Sequence, residues 1–376
     1  MFPKKLQQKL EVRNESNSLR ELGTYNNLVD FSSNDYLGFS KSKNIYRKTH
    51  EFIIENEVTQ NGATGSRLLS GSHKLYKVLE NTLCAFHNSD AALVYNSGYD
   101  ANLGLFSCVP QRGDIIFYDE HIHASVRDGI IMSNAKSYKF KHNDLKDLER
   151  ILKQVEKDLE IYVATESIFS MNGDSPDLVA LSNLSKTYNA HLIVDEAHAV
   201  GVFGKDGRGL LQELGIEKDV FARIVTFGKA IGSHGAVVLG SELLKKYLVN
   251  FSRSFIYTTA LSPHSIATTL LAYETLRTTK KRDKLKQNIQ FFKTKIKELD
   301  LQKWFTDNDS TVHCCIISGN DKVKKIAKKF QEEGFDVKPI LSPTVPENHE
   351  RLRFCIHVFN SEEEMTTVLS LLKTYI

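Results

Sequence analysis

Tryptophan occurs once in the 376 residues, methionine four times and proline seven times. Proline and glycine are too few for a collagen-like or linker-rich chain, and the charge content is too balanced for a wholly disordered one. No run approaches the ~18 apolar residues of a membrane-spanning helix. The five cysteines (Cys84, Cys108, Cys314, Cys315, Cys355) make an odd count without a CxxC pair. They imply neither a disulfide framework nor a zinc site, and a reducing compartment is expected. Basic residues exceed acidic ones by only three, 49 against 46. That excess does not argue for a nucleic-acid partner. Lys280–Lys281–Arg282 and Lys324–Lys325 read as solvated helix faces. The first twenty residues lack the apolar core of a signal peptide. A cytoplasmic protein is expected.

What the chain does contain is 41% hydrophobic and 25% charged residues, an ordinary globular balance. At roughly 150 residues per domain, two or three domains are expected. Strand-like runs at 91–95, 114–118, 161–165, 191–195, 224–227 and 236–239 alternate with amphipathic stretches. Leu75, Leu79, Leu83 and Phe86 share one helix face, and Leu145, Leu148, Ile151, Leu152, Val155 and Leu159 another. Pro176 suits the first turn of a third helix. This alternation predicts an α/β domain with a mostly parallel sheet. After about Pro263 the pattern changes to a smaller α+β unit. It has a long helix over 265–300, strands at 312–317 and 352–358, and a helix at 322–333 stopped by Gly334. Ser361 and Glu364 make a capping box for a last helix.

Ligands of a parallel α/β sheet sit beyond the carboxyl ends of its strands. Asn96, Ser97, Gly98 and Tyr99 follow one strand and open a helix, whose free N–H groups suit a phosphate. Asp195 ends another strand, three positions before His198. A carboxylate there can keep a heterocyclic nitrogen protonated. The DEAH run is also a helicase box, but no GxxxxGK[ST] loop accompanies it. Thr226 and Lys229 follow a third strand with small, apolar neighbours. A part-buried lysine there can act as an amine nucleophile. His121 and His123 follow a fourth. No acidic or thiol partner at suitable spacing completes a metal site with them, so no metal is expected. A single histidine can instead stack on a flat cofactor. A strand-end carboxylate, a strand-end lysine and a glycine-led helix start together describe the needs of pyridoxal 5'-phosphate.

With these residues in view, the chain resembles the α-oxoamine synthase family of fold type I pyridoxal-phosphate enzymes. The resemblance rests on FSSNDYLGF (31–39), GATGSRLLSG (62–71), NSGYDAN (96–102), HASVRDG (123–129) and ESIFSMNGD (166–174). It continues through VDEAHAVGVFG (194–204), TFGKAIGSHGA (226–236), YTTALSP (257–263) and PTVPENHERLRF (343–354). The family joins an amino acid to an acyl thioester with loss of CO2, and its members are homodimers with the active site at the subunit interface. The resemblance implies a large domain over 38–275 with a mostly parallel sheet. An N-terminal segment over 1–37 and a small α+β domain over 276–376 flank it.

The resemblance also implies roles. Lys229 is the lysine that links covalently to the cofactor, Asp195 the partner of its ring nitrogen, His198 that of its ring hydroxyl. His123 stacks on the ring. Ser97, Gly98, Tyr99 and Thr226 hold the phosphate, with Thr259 reaching it from a second subunit. Glu166 and Ser170 lie near the ring hydroxyl and reacting carbon. Asn34, Arg353 and Thr344 attend the substrate carboxylate. Ser66 and Leu68 in SRLLSG resemble the branch that uses L-alanine and a pimeloyl thioester, where glycine- and serine-using branches more often read TRNISG. The presence of Lys229 argues against a non-catalytic partner subunit. HASVRDG and PTVPENHERLR argue against a plain aminotransferase.

Overall fold

The computed structural model describes residues 2–20, 22–23, 27–156 and 158–376. The chain forms two compact units, Asp35–Ser170 with Ser175–Arg282, and Met1–Asn34 with Met171–Asp174 and Asp283–Ile376.

The larger unit is built on a seven-stranded sheet. Its spatial order is Ala91–Tyr95, Ala236–Gly240, Ala222–Thr226, Ala190–Asp195, Ile161–Glu166, Ile115–Asp119 and Lys136–Phe140. Pairing is parallel from Ala222–Thr226 out to Lys136–Phe140. Ala236–Gly240 runs antiparallel to both neighbours. Six strands therefore point the same way, and Tyr95, Asp119, Glu166, Asp195 and Thr226 finish at one edge. Every residue of IYVATE (161–166) is buried, as expected of a strand with helices on both faces. The edge strand Lys136–Phe140 buries only Phe140. Its KSYKF sequence carries no apolar run, so hydropathy does not reveal it, while its lysines protect the sheet edge.

Local polar contacts correct two helix expectations. Pro176 lies ahead of the helix Leu178–Thr187 and outside its first turn, because Asp177 is the N-cap and accepts the Ala180 N–H at 2.9 Å. The expected long helix over 265–300 is two helices, Pro263–Thr278 and Lys281–Glu298. Thr279 between them is extended (φ −72°, ψ 140°), and its hydroxyl accepts the Lys281 N–H at 3.2 Å. A side-chain oxygen thus takes one N–H that a continuous helix would pair with a backbone carbonyl.

A buried ion pair stands behind the carboxyl edge. Glu196, fully buried, accepts from Arg223 Nε at 2.9 Å and Nη2 at 2.6 Å, and from the Leu211 N–H at 2.9 Å. Arg223 also donates to the His87 and Arg208 carbonyls. Gly209, at φ +117°, leaves the room: a Cβ there would lie 2.7 Å from the Glu196 carboxylate. The second residue of DEAH is thereby committed to structure.

In the smaller unit, strands Lys338–Ile340, Arg351–Cys355 and Val312–Ile316 pair antiparallel in that order. Phe354 lies 5.9 Å from Phe292 and 6.0 Å from Phe330, ring centre to ring centre, in the core beneath them. The strand expected over 352–358 stops at Cys355, and beyond it the His357 N–H donates to Asn360 Oδ1 at 2.9 Å. The capping box at Ser361 and Glu364 opens the last helix, Glu362–Tyr375.

Candidate active site

Three carboxylate-bearing strand ends meet side by side. Glu166 and Asp195 are register partners on adjacent parallel strands, and both are buried. Asp195 Oδ1 accepts the Ala197 N–H at 2.8 Å, and Oδ2 accepts from Asn102 Nδ2 at 2.8 Å. Glu166 accepts the His123 N–H at 2.7 Å and the Ser170 N–H. Asp119, fully buried, takes the His121 N–H, His142 Nδ1 and the Asn143 N–H between 2.8 and 2.9 Å. It pins the turn that leads into His123.

The electrostatics tie Lys229 and His123 to the same place. Burial pushes the Glu166 carboxyl up to about 8, the Asp195 charge pushes in the same direction, and the Lys229 ammonium opposes both. His123 is held below its ordinary value by burial first; Asp195 opposes this shift and Lys229 adds to it. Lys229, Asp195, Glu166 and His123 therefore lie within electrostatic reach of one another, the two carboxylates buried and the lysine and imidazole more open to solvent. His198 is buried, and its Nδ1 lies 2.7 Å from the Tyr36 hydroxyl.

The phosphate side is assembled from two elements. Ser97 caps the helix Gly98–Cys108 by accepting the Asp100 N–H at 3.0 Å. The helix start leaves the Gly98 and Tyr99 N–H groups without intrahelical partners. A Cβ on Gly98 would lie 3.5 Å from the Thr226 side chain, so glycine keeps the space between helix start and strand end open. A buried carboxylate, a lysine and an open set of N–H and hydroxyl donors on one sheet edge fit the ring nitrogen, aldehyde and phosphate of pyridoxal 5'-phosphate.

The remaining candidates fall into separate groups. Thr259 is exposed, and its carbonyl accepts from Asn96 Nδ2 at 2.6 Å. Ser66 sits in a turn where its carbonyl accepts the Leu69 and Gly71 N–H groups. In the smaller unit Arg353 Nη2 donates to Asn34 Oδ1 at 3.0 Å, and Nη1 lies 2.9 Å from Cys355 Sγ. Thr344 is exposed and accepts from Arg20 at 3.1 Å. Arg351 is buried on the Met171 and His349 carbonyls and the Asn172 side chain. Sequence reasoning did not single out Asn102, Ser125 or Tyr36. Each lies inside a quoted motif, but amide and hydroxyl residues give no spacing signal of their own.

The chain belongs to the class I and II aminotransferase family, whose model matches residues 26–372, and within it to the α-oxoamine synthases. It is a fold type I enzyme, and its cofactor is pyridoxal 5'-phosphate. Among its relatives, the 8-amino-7-oxononanoate synthase of Emericella nidulans is 40% identical over 93% of this chain and 89% of that protein. The crystal structure of 8-amino-7-oxononanoate synthase from Francisella tularensis is 29% identical with a TM-score of 0.79, covering 92% of this chain and 97% of that one. The Sphingomonas wittichii serine palmitoyltransferase is 27% identical with a TM-score of 0.86, covering 92% and 86%.

Proposed function

We propose that this protein condenses L-alanine with a pimeloyl thioester, on coenzyme A or a carrier protein, to 8-amino-7-oxononanoate in biotin formation. The observation that carries the reading is the 40% identity, over 93% of the chain, to a synthase of that name. The thioester C–S bond breaks, a bond forms from the alanine Cα to the acyl carbon, and the alanine carboxyl leaves as CO2. The free thiol is the third product, beside the oxononanoate and CO2.

Bound pyridoxal phosphate supplies the electron sink that makes the alanine Cα acidic. Lys229 holds the cofactor between turnovers and, once released, takes the Cα proton on Nζ and returns one at the end. Asp195 keeps a proton on the ring nitrogen by charge and hydrogen bond. His198 holds the ring hydroxyl, and His123 covers one ring face. Glu166 and Ser170 border the reacting carbon. Ser97, Gly98, Tyr99 and Thr226 hold the phosphate, and Thr259 reaches the phosphate bound by a second copy of the chain. Arg353, fixed by Asn34, takes the amino-acid carboxylate, with Thr344 nearby in this role. Ser66 contributes to choosing the substrates. Among the described residues no helix is long and apolar enough to cross a membrane, and we assign the enzyme to the cytoplasm.

The test is incubation with pyridoxal phosphate and pimeloyl-CoA, supplying alanine, glycine or serine, followed by mass analysis. Alanine should give the oxononanoate and CO2 at least tenfold faster than the others. The serine palmitoyltransferase similarity supports a second reading, a sibling synthase, and preferred use of serine or glycine would replace the first reading with it. Light scattering should show a dimer; an active monomer would remove the assignment of Thr259.

A further inference from the structure

Asp195 ends a strand and His123 caps the helix Ala124–Met132, yet one side chain touches the hydrogen-bonding of both. Asn102, on the helix Gly98–Cys108, is buried. Its Nδ2 donates to Asp195 Oδ2 at 2.8 Å and to Ser125 Oγ at 3.1 Å. The two hydrogens of one amide serve both bonds. Turning the amide over would set its oxygen against a carboxylate, so the orientation is fixed by chemistry. The cost is visible: Asn102 Oδ1 is buried with no hydrogen-bond partner among the described residues. An unmet buried carbonyl is unfavourable, and an apolar side chain would avoid it.

From Ser125 the chain of bonds reaches His123. Ser125 Oγ lies 2.7 Å from His123 Nδ1, and the Ser125 backbone N–H points to the same nitrogen at 3.2 Å. A backbone N–H can only donate, so Nδ1 carries the lone pair. With Nδ1 as an acceptor, the Ser125 hydroxyl donates its proton to it while its oxygen accepts from Asn102. The ring proton of His123 is then on Nε2.

We propose that Asn102 is a positioning residue that couples Asp195 to His123. Its amide holds the Asp195 carboxylate in place and, through Ser125, keeps His123 in the Nε2–H form, a hydrogen-bond donor to the reacting groups and not a proton acceptor. The proposal rests on the reading that Asp195 and His123 serve the cofactor. The charged groups acting on His123 are Asp195, Lys229, Arg127 and Asp128, and Glu166 accepts its backbone N–H.

Two variants test it, each in cofactor-free and cofactor-loaded protein. Asn102→Asp keeps the shape, removes both donors and sets a second carboxylate beside Asp195. Ser125→Ala removes only the hydroxyl. In cofactor-free protein labelled with 15N-histidine, wild-type His123 should show the Nε2–H pattern. Both variants should raise the pH at which it titrates by about a unit or more. In loaded protein, Asn102→Asp should weaken cofactor binding at least tenfold and move the pH titration of the cofactor absorbance. Ser125→Ala should change cofactor binding less than threefold. An unmoved His123 signal in both variants, or the Nδ1–H pattern in wild type, overturns the proposal. If His123 moves while cofactor binding ignores both Asn102→Asp and Asp195→Asn, the coupling stands and the assignment of Asp195 to the cofactor falls.

Discussion

Glu166 offers a prediction whose size comes directly from its surroundings. Its carboxyl, ordinarily near 4.5, is pushed up to about 8 by burial and by the neighbouring Asp195 charge. The native state therefore keeps a proton that the unfolded chain has lost across this interval. Native protein binds more protons than unfolded protein, so the Glu166 contribution is whole below pH 4.5 and fades as pH rises towards 8. The interval is roughly 3.5 units, and at about 1.36 kcal/mol per unit its ceiling is ~5 kcal/mol. Between pH 5.5 and 7.5 the loss should be about 2–3 kcal/mol. The buried histidines His87 and His313, and His123 beside Asp195, are held below their ordinary values, so they act in the opposite sense at the acid end. Glu166→Gln isolates the carboxyl, because the amide does not titrate and its oxygen can still accept the His123 N–H. The assay is urea unfolding of cofactor-free wild type and variant at half-unit steps from pH 5 to 8. Wild type should lose stability relative to the variant along this series. Parallel profiles would refute the reasoning, showing that Glu166 is ionised in the native protein throughout.

Lys229→Ala should abolish turnover and the absorbance band of lysine-linked cofactor while retaining some cofactor by its phosphate contacts; full activity, measured by product formation, would end the assignment. Asp195→Asn should preserve the fold, checked by circular dichroism, and slow turnover by two orders of magnitude or more, the equivalent of ~3 kcal/mol of electrostatic stabilisation. Near-normal turnover would leave Asp195 as a strand-end acceptor for Asn102 and Ala197. Arg353→Lys should weaken alanine binding by ~1–3 kcal/mol, because an ammonium cannot reproduce the guanidinium fork. The alanine titration of the cofactor absorbance measures it. Arg351→Lys, on a side chain already spent on the Met171 and His349 carbonyls, should shift that midpoint much less, and equal shifts would remove Arg353 as the anchor.

The strand runs of the large sheet were legible in sequence because strands buried on both faces are largely apolar, as in 91–95 and 161–165. The strand-end rule points to Ser97, His123, Asp195 and Lys229, and the motif order assigns their roles by resemblance. The edge strand Lys136–Phe140 was not legible, since a strand exposed at an edge needs no apolar run. Nor was the break at Thr279, which depends on one hydroxyl taking one N–H. Arg351 and Arg353 share a strand and a two-residue spacing. Only packing distinguishes them, by putting backbone carbonyls around the first and Asn34 with Cys355 around the second. Asn102 shows the difference most plainly. Its place in NSGYDAN is local information, but its two hydrogen-bond acceptors lie 23 and 93 residues away along the chain. Periodicity and motif order are properties of neighbouring residues, so the sequence carries them openly. Which nitrogen of the His123 ring holds the proton, and which carboxylate an amide steadies, depends on groups that only the folded chain brings within hydrogen-bonding distance.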